Sequence, residues 1–266
     1  KAPAMTHTPS DFWKRQRVIV TAGASGIGLE IARALHGAGA RVWICDVVEP
    51  TLKDAANELP GLGTQVCDVS DEAACDAFVK AAATDMGGLD ILVNNAGIAG
   101  PAAAVHEITG EDWRRCFDIN VHGQFYMARA AIPHLKRNDG GSIVCMASVA
   151  GKYAFPLRSP YAASKAAVIS LARALSVELG LDQIRVNAIA PGVVAGDRIR
   201  RVFTDRAAKR GITYEEMEET ALRAVSMRTM VDPQEIADLV MYLCGPSGRP
   251  ITGQVMSICG GLEYTE

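Results

Sequence analysis

Short apolar runs rich in β-branched residues alternate with longer amphipathic stretches along the chain. The short runs predict buried strands, and the longer stretches, in which apolar residues recur every three or four positions, predict helices. The predicted strands span residues 18–21, 41–46, 63–67, 91–94, 142–147, 185–190 and 254–258. The predicted helices span residues 28–38, 51–59, 71–86, 111–132, 162–179 and 233–243, the last capped by Asp232.

Strands that are apolar throughout and separated by helices indicate a parallel sheet covered on both faces. Because parallel crossovers are right-handed, we expect a doubly wound α/β sheet of about seven strands with helices on both faces. A single domain over residues 11–266 would contain it. We expect residues 1–10 to be a disordered N-terminus or a remnant of the expression vector. Residues 193–231 show a looser pattern, which predicts a variable lid over a substrate.

Composition narrows the choice of partners. The 266 residues suit one large domain, and a net charge of −3 gives no reason to expect nucleic acid or an anionic membrane. No apolar run approaches the roughly 20 residues that span a bilayer. The seven cysteines occur singly, which argues against a disulfide framework and against a metal site. We therefore expect a cytoplasmic protein without a metal.

A glycine-rich turn, Thr21-Ala-Gly-Ala-Ser-Gly-Ile-Gly28, follows the first predicted strand and opens the first helix. Glycine permits tight backbone geometry and close approach of a phosphate, and a helix N-terminus offers N–H donors with partial positive charge. Tight turns need glycine for purely structural reasons as well. The position between the first strand and the first helix nevertheless favours a dinucleotide pyrophosphate site.

A carboxylate at the end of the second strand indicates which dinucleotide binds. Asp46 lies eighteen residues beyond Gly28. There it can accept hydrogen bonds from both ribose hydroxyls and would repel a 2′-phosphate. Val47 and Val48 follow, so no basic residue reverses this preference. The pattern predicts NAD, and the alternative is an ordinary surface aspartate at a strand end.

Two further strand ends carry suitable groups. Asp68 follows the third strand and could accept a hydrogen bond from the adenine amino group. Asn94-Asn95-Ala96-Gly97 ends the fourth strand with small residues that let the backbone lie near the adenosine. Open α/β sheets bind their ligands at this carboxyl edge.

Tyr161 and Lys165 are four residues apart at the start of a predicted helix, so they share one face. A tyrosine phenol is almost entirely protonated at neutral pH, but a nearby ammonium and the positive nicotinamide ring favour the phenolate. Ser148, after the fifth strand, could donate a hydrogen bond to a substrate oxygen. Alone, Tyr-x-x-x-Lys is more often a surface pair on a helix. The position of Ser148 at the same edge favours a general acid/base.

Asn120 falls inside the predicted helix 111–132, where asparagine is a poor helix former. One interpretation is a local kink whose freed carbonyl binds a water and connects Lys165 to solvent as a proton relay. The other interpretation is a buried asparagine satisfied by backbone groups.

The chain resembles the short-chain dehydrogenase/reductase family from about Arg15 to Gly261. The residues that carry the resemblance are Thr21–Gly28, Asp68, Asn94–Gly97, Asn120, Ser148, Tyr161-Ala-Ala-Ser-Lys165, Asn187 and Pro191-Gly192. The resemblance implies a Rossmann-type sheet, an NAD(P) cofactor, frequent homotetramers and a catalytic group of Asn120, Ser148, Tyr161 and Lys165. It implies cofactor contacts from Gly23, Ser25, Gly26, Ile27, Gly28, Asp46, Asp68, Val69, Asn95, Ala96, Gly97, Tyr161, Lys165, Pro191, Gly192 and Val194.

Three positions depart from the family pattern. Ala22 stands where the first motif glycine usually falls, but one methyl is small and we expect binding to survive. Gly196 replaces a threonine often found after Pro-Gly, which removes one possible hydroxyl contact to the carboxamide. Cys259 replaces a common aspartate near the C-terminus, which puts little in doubt.

The substrate is the least determined part of the prediction. Residues 193–231 are rich in charge, and Arg198 there and Arg158 before Tyr161 are candidates for binding a carboxylate or a polyhydroxylated ligand. The alternative for the lid charges is a solvated helix face. The runs around Arg158 and Arg198 look similar to sugar-acid dehydrogenases, so we expect a small polar substrate, a sugar or sugar acid.

Two other functions are weighed against this one. The first is a reductase of oxo-acyl or secondary-alcohol substrates, and Asp46 counts against its biosynthetic NADPH-dependent form. The second is a non-catalytic NAD-sensing regulator. Such a regulator should have lost its reactive groups, whereas Ser148, Tyr161 and Lys165 are all present.

Overall fold

The computed structural model describes residues 9–138 and 140–262, without the side chains of residues 9, 10, 198, 206 and 209. Of the segment 1–10 predicted to be disordered or vector-derived, residues 1–8 lie outside the described residues, and a short helix α1 begins at Pro9. No helix in the described ranges has the length and apolar character needed to cross a bilayer.

Seven parallel strands form one sheet in the order β3-β2-β1-β4-β5-β6-β7. They are β1 (Arg17–Thr21), β2 (Arg41–Asp46), β3 (Gly63–Val66), β4 (Ile91–Asn94), β5 (Gly141–Met146), β6 (Ile184–Pro191) and β7 (Val255–Ile258). The direction of strand order reverses between β1 and β4, which opens a crevice at the carboxyl edge. The predicted doubly wound Rossmann-type sheet is confirmed.

Helices cover both faces of the sheet. They are α1 (Pro9–Trp13), α2 (Gly26–Gly37), α3 (Glu49–Glu58), α4 (Glu72–Met86), α5 (Gly110–Phe117), α6 (Gly123–Lys136), α7 (Ser159–Glu178), α8 (Asp197–Arg210), α9 (Tyr214–Leu222) and α10 (Pro233–Cys244). One core joins α4, α6 and α7 to the sheet through residues such as Phe78 and Val168. A second core lies under α2, α3 and α10, around Ile31 and Val240.

The predicted helix 111–132 is interrupted. A π-helical turn, Asp118–His122, separates α5 from α6, and the N–H of Gly123 bonds to the carbonyl of Asp118 five residues earlier. Such a turn adds one residue to the helical path, and π-turns are frequent at functional sites. Asn120 lies in its middle, so the predicted local distortion is present.

The lid, residues 193–231, is more ordered than expected because it contains α8 and α9. Phe203 and Ala207 of α8 pack with Met217 of α9 in a small apolar cluster of their own. Charged residues on the remaining faces dilute the apolar period in the sequence, which explains why these helices are not evident there.

Ala22, in the glycine-rich turn, adopts a left-handed backbone conformation with φ +48°. This region costs a residue with a Cβ roughly 1 kcal/mol or more. Glycine adopts this conformation without steric strain, which explains why the family pattern has glycine at this position.

We predict that Ala22→Gly raises the free energy of unfolding by about 1 kcal/mol or less, because relief of the strain is partly offset by the greater freedom of glycine in the unfolded chain. Gly26→Ala is the matched control, since Gly26 has φ +53° with no atom within 4 Å of an added Cβ. It should lower the same free energy by about 1 kcal/mol. Chemical denaturation measures both, and a change of the same sign in the two variants would contradict the assignment of strain.

Candidate active site

The ends of β1, β2, β4, β5 and β6 meet at the carboxyl edge of the sheet, where the sequence places its candidate residues. On one side of the switch point lie the glycine-rich turn and Asp46. On the other side lie Ser148, Tyr161 and Lys165. The described residues contain no group of three or more His, Cys, Asp or Glu side chains placed to hold a metal ion.

The glycine-rich turn forms a cradle that excludes side chains. A Cβ on Gly28 would lie 2.1 Å from the carbonyl oxygen of Ala22 and 2.6 Å from Nδ2 of Asn95. A Cβ on Gly23 would lie 2.6 Å from Cγ2 of Ile44. Ser25 precedes α2 and makes no side-chain cap bond, so the first N–H groups of α2 are left for a ligand. This surface fits a pyrophosphate, and Gly26 and Ile27 belong to the same first turn.

Thr21 ties the two halves of the cradle together, a role that the sequence analysis missed. Its Oγ1 accepts hydrogen bonds from the N–H groups of Asn95 and Ala96, each at 2.9 Å. Nδ2 of Asn95 donates in return to the carbonyls of Thr21 and Ala22, both at 3.1 Å. The side chain of Asn95 therefore holds backbone at the cofactor edge.

Asp46 points back toward the glycine-rich turn. Its Oδ1 accepts hydrogen bonds from the N–H of Val47 at 2.8 Å and of Val48 at 3.3 Å, and its Oδ2 lies 3.4 Å from the N–H of Ala24. Val47 and Val48 are exposed beside it. The carboxylate is thus fixed by backbone groups at the end of β2, beside the glycine-rich turn.

Asp68 and Val69 line the next part of the edge. Oδ1 of Asp68 accepts hydrogen bonds from the N–H and the hydroxyl of Ser70, at 2.9 and 2.7 Å. Desolvation opposes ionisation, but these bonds, together with Arg115, lower the pKa of Asp68 below its ordinary value. Asp68 is therefore an ionised acceptor at neutral pH, suited to an amino group. Val69 is buried against Gly123, where a Cβ would lie 2.7 Å from its Cγ2.

Ser148 caps a 3₁₀ turn, Val149–Gly151, that follows β5. Its hydroxyl oxygen accepts a hydrogen bond from the N–H of Ala150 at 3.2 Å, and the residue is buried. The cap leaves the hydroxyl hydrogen available to donate to another oxygen. Ser148 is thus held at the carboxyl edge as a donor.

Tyr161 and Lys165 occupy the first turns of α7. Nζ of Lys165 lies 5.8 Å from the centre of the Tyr161 ring, and Lys165 is only 3% exposed. The ammonium donates a hydrogen bond to the carbonyl of Met146, at the end of β5, at 2.8 Å. Lys165 therefore does not point into bulk water, and its charge acts over a short distance in a poorly screened environment.

Gly97, in the loop after β4, lies close to both Lys165 and Asn120. A Cβ on Gly97 would lie 3.1 Å from Nζ of Lys165 and 3.1 Å from Oδ1 of Asn120. Glycine thus permits the loop after β4 to approach both groups. Because Ala96 and Gly97 continue from the cofactor cradle, the same loop connects the cradle with the acid/base pair.

Asn120 is completely buried, and both its amide oxygen and its amide nitrogen form hydrogen bonds with neighbouring residues. Its Oδ1 accepts a hydrogen bond from the N–H of Ile98 at 2.7 Å, and its Nδ2 donates to the carbonyl of Ile98 and to Oγ of Ser164, both at 2.9 Å. Ser164 in turn donates to the carbonyl of Tyr161 at 2.7 Å. The helix is thus distorted at Asn120, and the side chain of Asn120 is also satisfied by backbone groups, so features of both interpretations are present. Ser164 was not predicted, although it lies three residues after Tyr161 on the same helix.

The segment after β6 reaches the same edge. The N–H of Gly192 donates to the carbonyl of Ile258 at 2.9 Å, and a Cβ on Gly192 would lie 2.8 Å from Cα of Cys259. Val194 pairs with Val231, which joins the two ends of the lid. Pro191, Gly192 and Val194 are therefore held next to the crevice by β7 and by the end of the lid.

Of the two arginines predicted to bind substrate, the structure describes the side chain of Arg158 only. Arg158 precedes α7, and its Nη1 donates to the carbonyls of Ala99 at 3.4 Å and Gly100 at 3.2 Å. Its guanidinium thus contacts the loop after β4. Arg198 lies in α8, but its side chain is outside the described residues. Of the other lid arginines, Arg200 and Arg201 are exposed.

The known proteins that this chain resembles are dehydrogenases and reductases. Residues 21–263 match the family model described as Enoyl-(Acyl carrier protein) reductase. The chain is 33% identical to 7alpha-hydroxysteroid dehydrogenase of Escherichia coli K12 over 247 residues, 91% of this chain and 92% of the relative. It is 32% identical to Dehydrogenase/reductase SDR family member 4 of Homo sapiens over 247 residues, 91% and 86% of the two chains.

Two solved structures are also similar. An actinorhodin polyketide ketoreductase variant with NADPH superposes with a TM-score of 0.89 at 33% identity, covering 95% of this chain and 99% of that one. An NAD⁺-bound xylitol dehydrogenase superposes with a TM-score of 0.88 at 30% identity, covering 93% and 98%. With the site geometry above, these likenesses show that the chain belongs to the short-chain dehydrogenase/reductase family, oxidoreductases that act on alcohol and ketone groups with a nicotinamide cofactor.

Proposed function

We propose that the protein transfers hydride between NAD(H) and a secondary alcohol or ketone, with Tyr161 as general acid/base. The observation that carries the proposal is the buried Lys165 ammonium, 5.8 Å from the centre of the Tyr161 ring and on the same face of α7. In this proposal the phenolic oxygen of Tyr161 exchanges the proton beside that fixed charge.

Each residue of the site has a distinct task in this proposal. Bound nicotinamide supplies the hydride acceptor or donor. Ser148 donates a hydrogen bond to the substrate oxygen, and the phenolic oxygen of Tyr161 takes the alcohol proton during oxidation and returns it during reduction. Lys165 stabilises the phenolate through its charge. Asn120 fixes the loop at Ile98 and, through Ser164, the first turn of α7.

The preference for NAD rests on Asp46. Its carboxylate is held by three backbone N–H groups where the second strand ends, and a 2′-phosphate there would meet a negative charge. The two similar structures were solved with different cofactors, NADPH in the actinorhodin ketoreductase and NAD⁺ in xylitol dehydrogenase. Similarity to these structures therefore does not decide between NAD and NADP, and we base the preference on this chain's own residues.

For the substrate, our first candidate is a sugar, sugar alcohol or sugar acid. It is supported by the similarity to xylitol dehydrogenase and by the sequence around Arg158 and Arg198. The contacts of Arg158 with the carbonyls of Ala99 and Gly100 hold its guanidinium, which keeps its positive charge, beside the loop after β4, where it would attract a hydroxyl-rich or an anionic sugar.

A second candidate is an apolar ketone or secondary alcohol. The hydroxysteroid dehydrogenase and the polyketide ketoreductase among the relatives agree with this candidate. A non-catalytic NAD sensor has no support from a site that keeps all its reactive groups.

We also propose a homotetramer, which the family resemblance implies. Trp113 of α5 and Phe125 of α6 expose 39% and 44% of their surface on adjoining helices. Exposed aromatic residues are typical of interfaces between subunits.

The reaction is tested by a substrate panel of xylitol, gluconate, a 7α-hydroxysteroid, 2-decanol and an acetoacetyl thioester, each with NAD(H) and NADP(H). Absorbance of the reduced nicotinamide is the readout. With the best substrate of this panel, Tyr161→Phe should lower kcat by about a thousandfold, because it removes the proton acceptor. Its dissociation constant for NAD⁺ should stay within about twofold of the wild type, since the ring remains.

Tyr242→Phe, an exposed tyrosine of α10, is the control and should keep full activity. A Tyr161→Phe enzyme with more than about a tenth of wild-type kcat would remove Tyr161 from the chemistry, given the usual size of acid/base contributions.

The cofactor assignment is tested by Asp46→Ser. We expect kcat/KM with NADP to rise by about tenfold or more relative to kcat/KM with NAD, because the charge that repels the 2′-phosphate is gone. Glu49→Gln is the matched control, since Glu49 lies three residues later and pairs with Lys53 at 2.8 Å. A ratio that does not change in Asp46→Ser, or that changes equally in both variants, is incompatible with the assignment.

A further inference from the structure

Gln124 shares the carbonyl that holds the Lys165 ammonium. Its Nε2 donates a hydrogen bond to the carbonyl of Met146 at 3.2 Å, and Nζ of Lys165 donates to the same oxygen at 2.8 Å. Both side chains are buried, with 2% of Gln124 and 3% of Lys165 exposed. A carbonyl oxygen has two lone pairs, so it can accept both donors at once.

Gln124 lies in the first turn of α6, directly after the π-turn. Cys116, Asn120 and Gln124 are spaced four apart and are all buried on the inner side of α5 and α6. The backbone of Gln124 is fixed as well, because Nδ2 of Asn94 donates to its carbonyl at 3.0 Å. Gln124 therefore connects the ends of β4 and β5 with the lysine of α7.

A polar side chain at position 124 lowers the free energy of unfolding relative to an apolar side chain of similar size. The Met146 carbonyl can only accept, so the amide of Gln124 must present Nε2 to it and turn Oε1 away. Within the described residues, Oε1 has no hydrogen-bond partner. A buried acceptor without a donor costs about 1–3 kcal/mol, whereas methionine or leucine would fill a similar volume without that cost. The arrangement is thus poor for stability alone, which points to a role in function.

We propose that Gln124 is a positioning residue for Lys165, which it controls through the Met146 carbonyl. This inference rests on the proposed function of the Tyr161 and Lys165 pair. By occupying one lone pair, Gln124 fixes the direction of the carbonyl and leaves a single position for the ammonium, near the Tyr161 ring. Without Gln124 the oxygen is free to draw the ammonium deeper toward β5, and the phenolate loses part of its stabilisation.

The groups that face Lys165 make this carbonyl important. The titratable neighbours of Lys165 include Tyr161 on the same helix, Cys116 of α5 and Cys145 of β5. Burial raises the pKa of Cys116 above its ordinary value and that of Cys145 to about 12. Both thiols are neutral at physiological pH, so neither balances the ammonium. The Met146 carbonyl accepts a hydrogen bond from the ammonium at 2.8 Å, so the orientation of this carbonyl affects where the charge lies.

The test uses the full-length enzyme with saturating NAD⁺ and the best alcohol of the panel above. We expect Gln124→Met to lower kcat at neutral pH by about fivefold, the effect of losing one hydrogen bond. The rise of kcat with pH should move to higher pH, because the phenolate forms less readily. Affinity for NAD⁺ should stay within about twofold, since Gln124 lies behind the site, and the melting temperature should be equal or higher.

Gln124→Leu repeats the test with a second apolar side chain, and Met127→Leu on the same helix controls for repacking of the core. An unchanged kcat and pH profile in both Gln124 variants would overturn the inference. A loss of activity in proportion to a fall in melting temperature would also overturn it, because that result indicates a structural role.

Tyr161→Phe, measured in parallel, separates this inference from the proposed function. If that variant remains active, the proposed function itself fails. If it is inactive while the Gln124 variants behave as the wild type, only the role of Gln124 is wrong.

Discussion

The ammonium of Lys165 is buried at the carboxyl edge of the sheet, and the site is organised around keeping it charged and close to Tyr161. An isolated buried ammonium would lose its proton, so the protein must supply compensating dipoles. It does so with the carbonyl of Met146 at the end of β5. The strand that ends there also leads directly into Ser148, so one element places both the carbonyl that binds the ammonium and the hydroxyl that we propose as the donor to the substrate.

The same constraint explains several features outside the acid/base pair. A Cβ on Gly97 would lie 3.1 Å from groups of Lys165 and Asn120, closer than an ordinary van der Waals contact, so a side chain there would press on both. The π-turn brings Asn120 inward to fix that loop, and Thr21 ties the neighbouring residues to the glycine-rich turn. Hydrogen bonds therefore connect the glycine-rich turn with the loop after β4, and that loop with Asn120 and Ser164 beside Tyr161 and Lys165.

Much of this arrangement is predictable from the sequence, because parallel strands and phosphate-binding turns depend on local patterns. The seven strands, the cradle, and the Tyr161 and Lys165 pair follow from apolar runs, glycine spacing and helical periodicity. The helices of the lid do not, since charges such as Arg200 and Arg201 hide the apolar period of α8. Contacts through backbone carbonyls, as for Arg158 and Gln124, leave no pattern in the sequence at all, because any residue can offer a carbonyl.

The most direct measurement of the central claim is the pH dependence of NAD⁺ reduction by Lys165→Met. Methionine keeps most of the volume and removes only the charge. The account predicts that activity lost at neutral pH returns in part as the pH approaches about 10, where an ordinary tyrosine phenol ionises without help. A variant as active as the wild type at neutral pH would contradict it, because the ammonium would then not be what prepares the phenol.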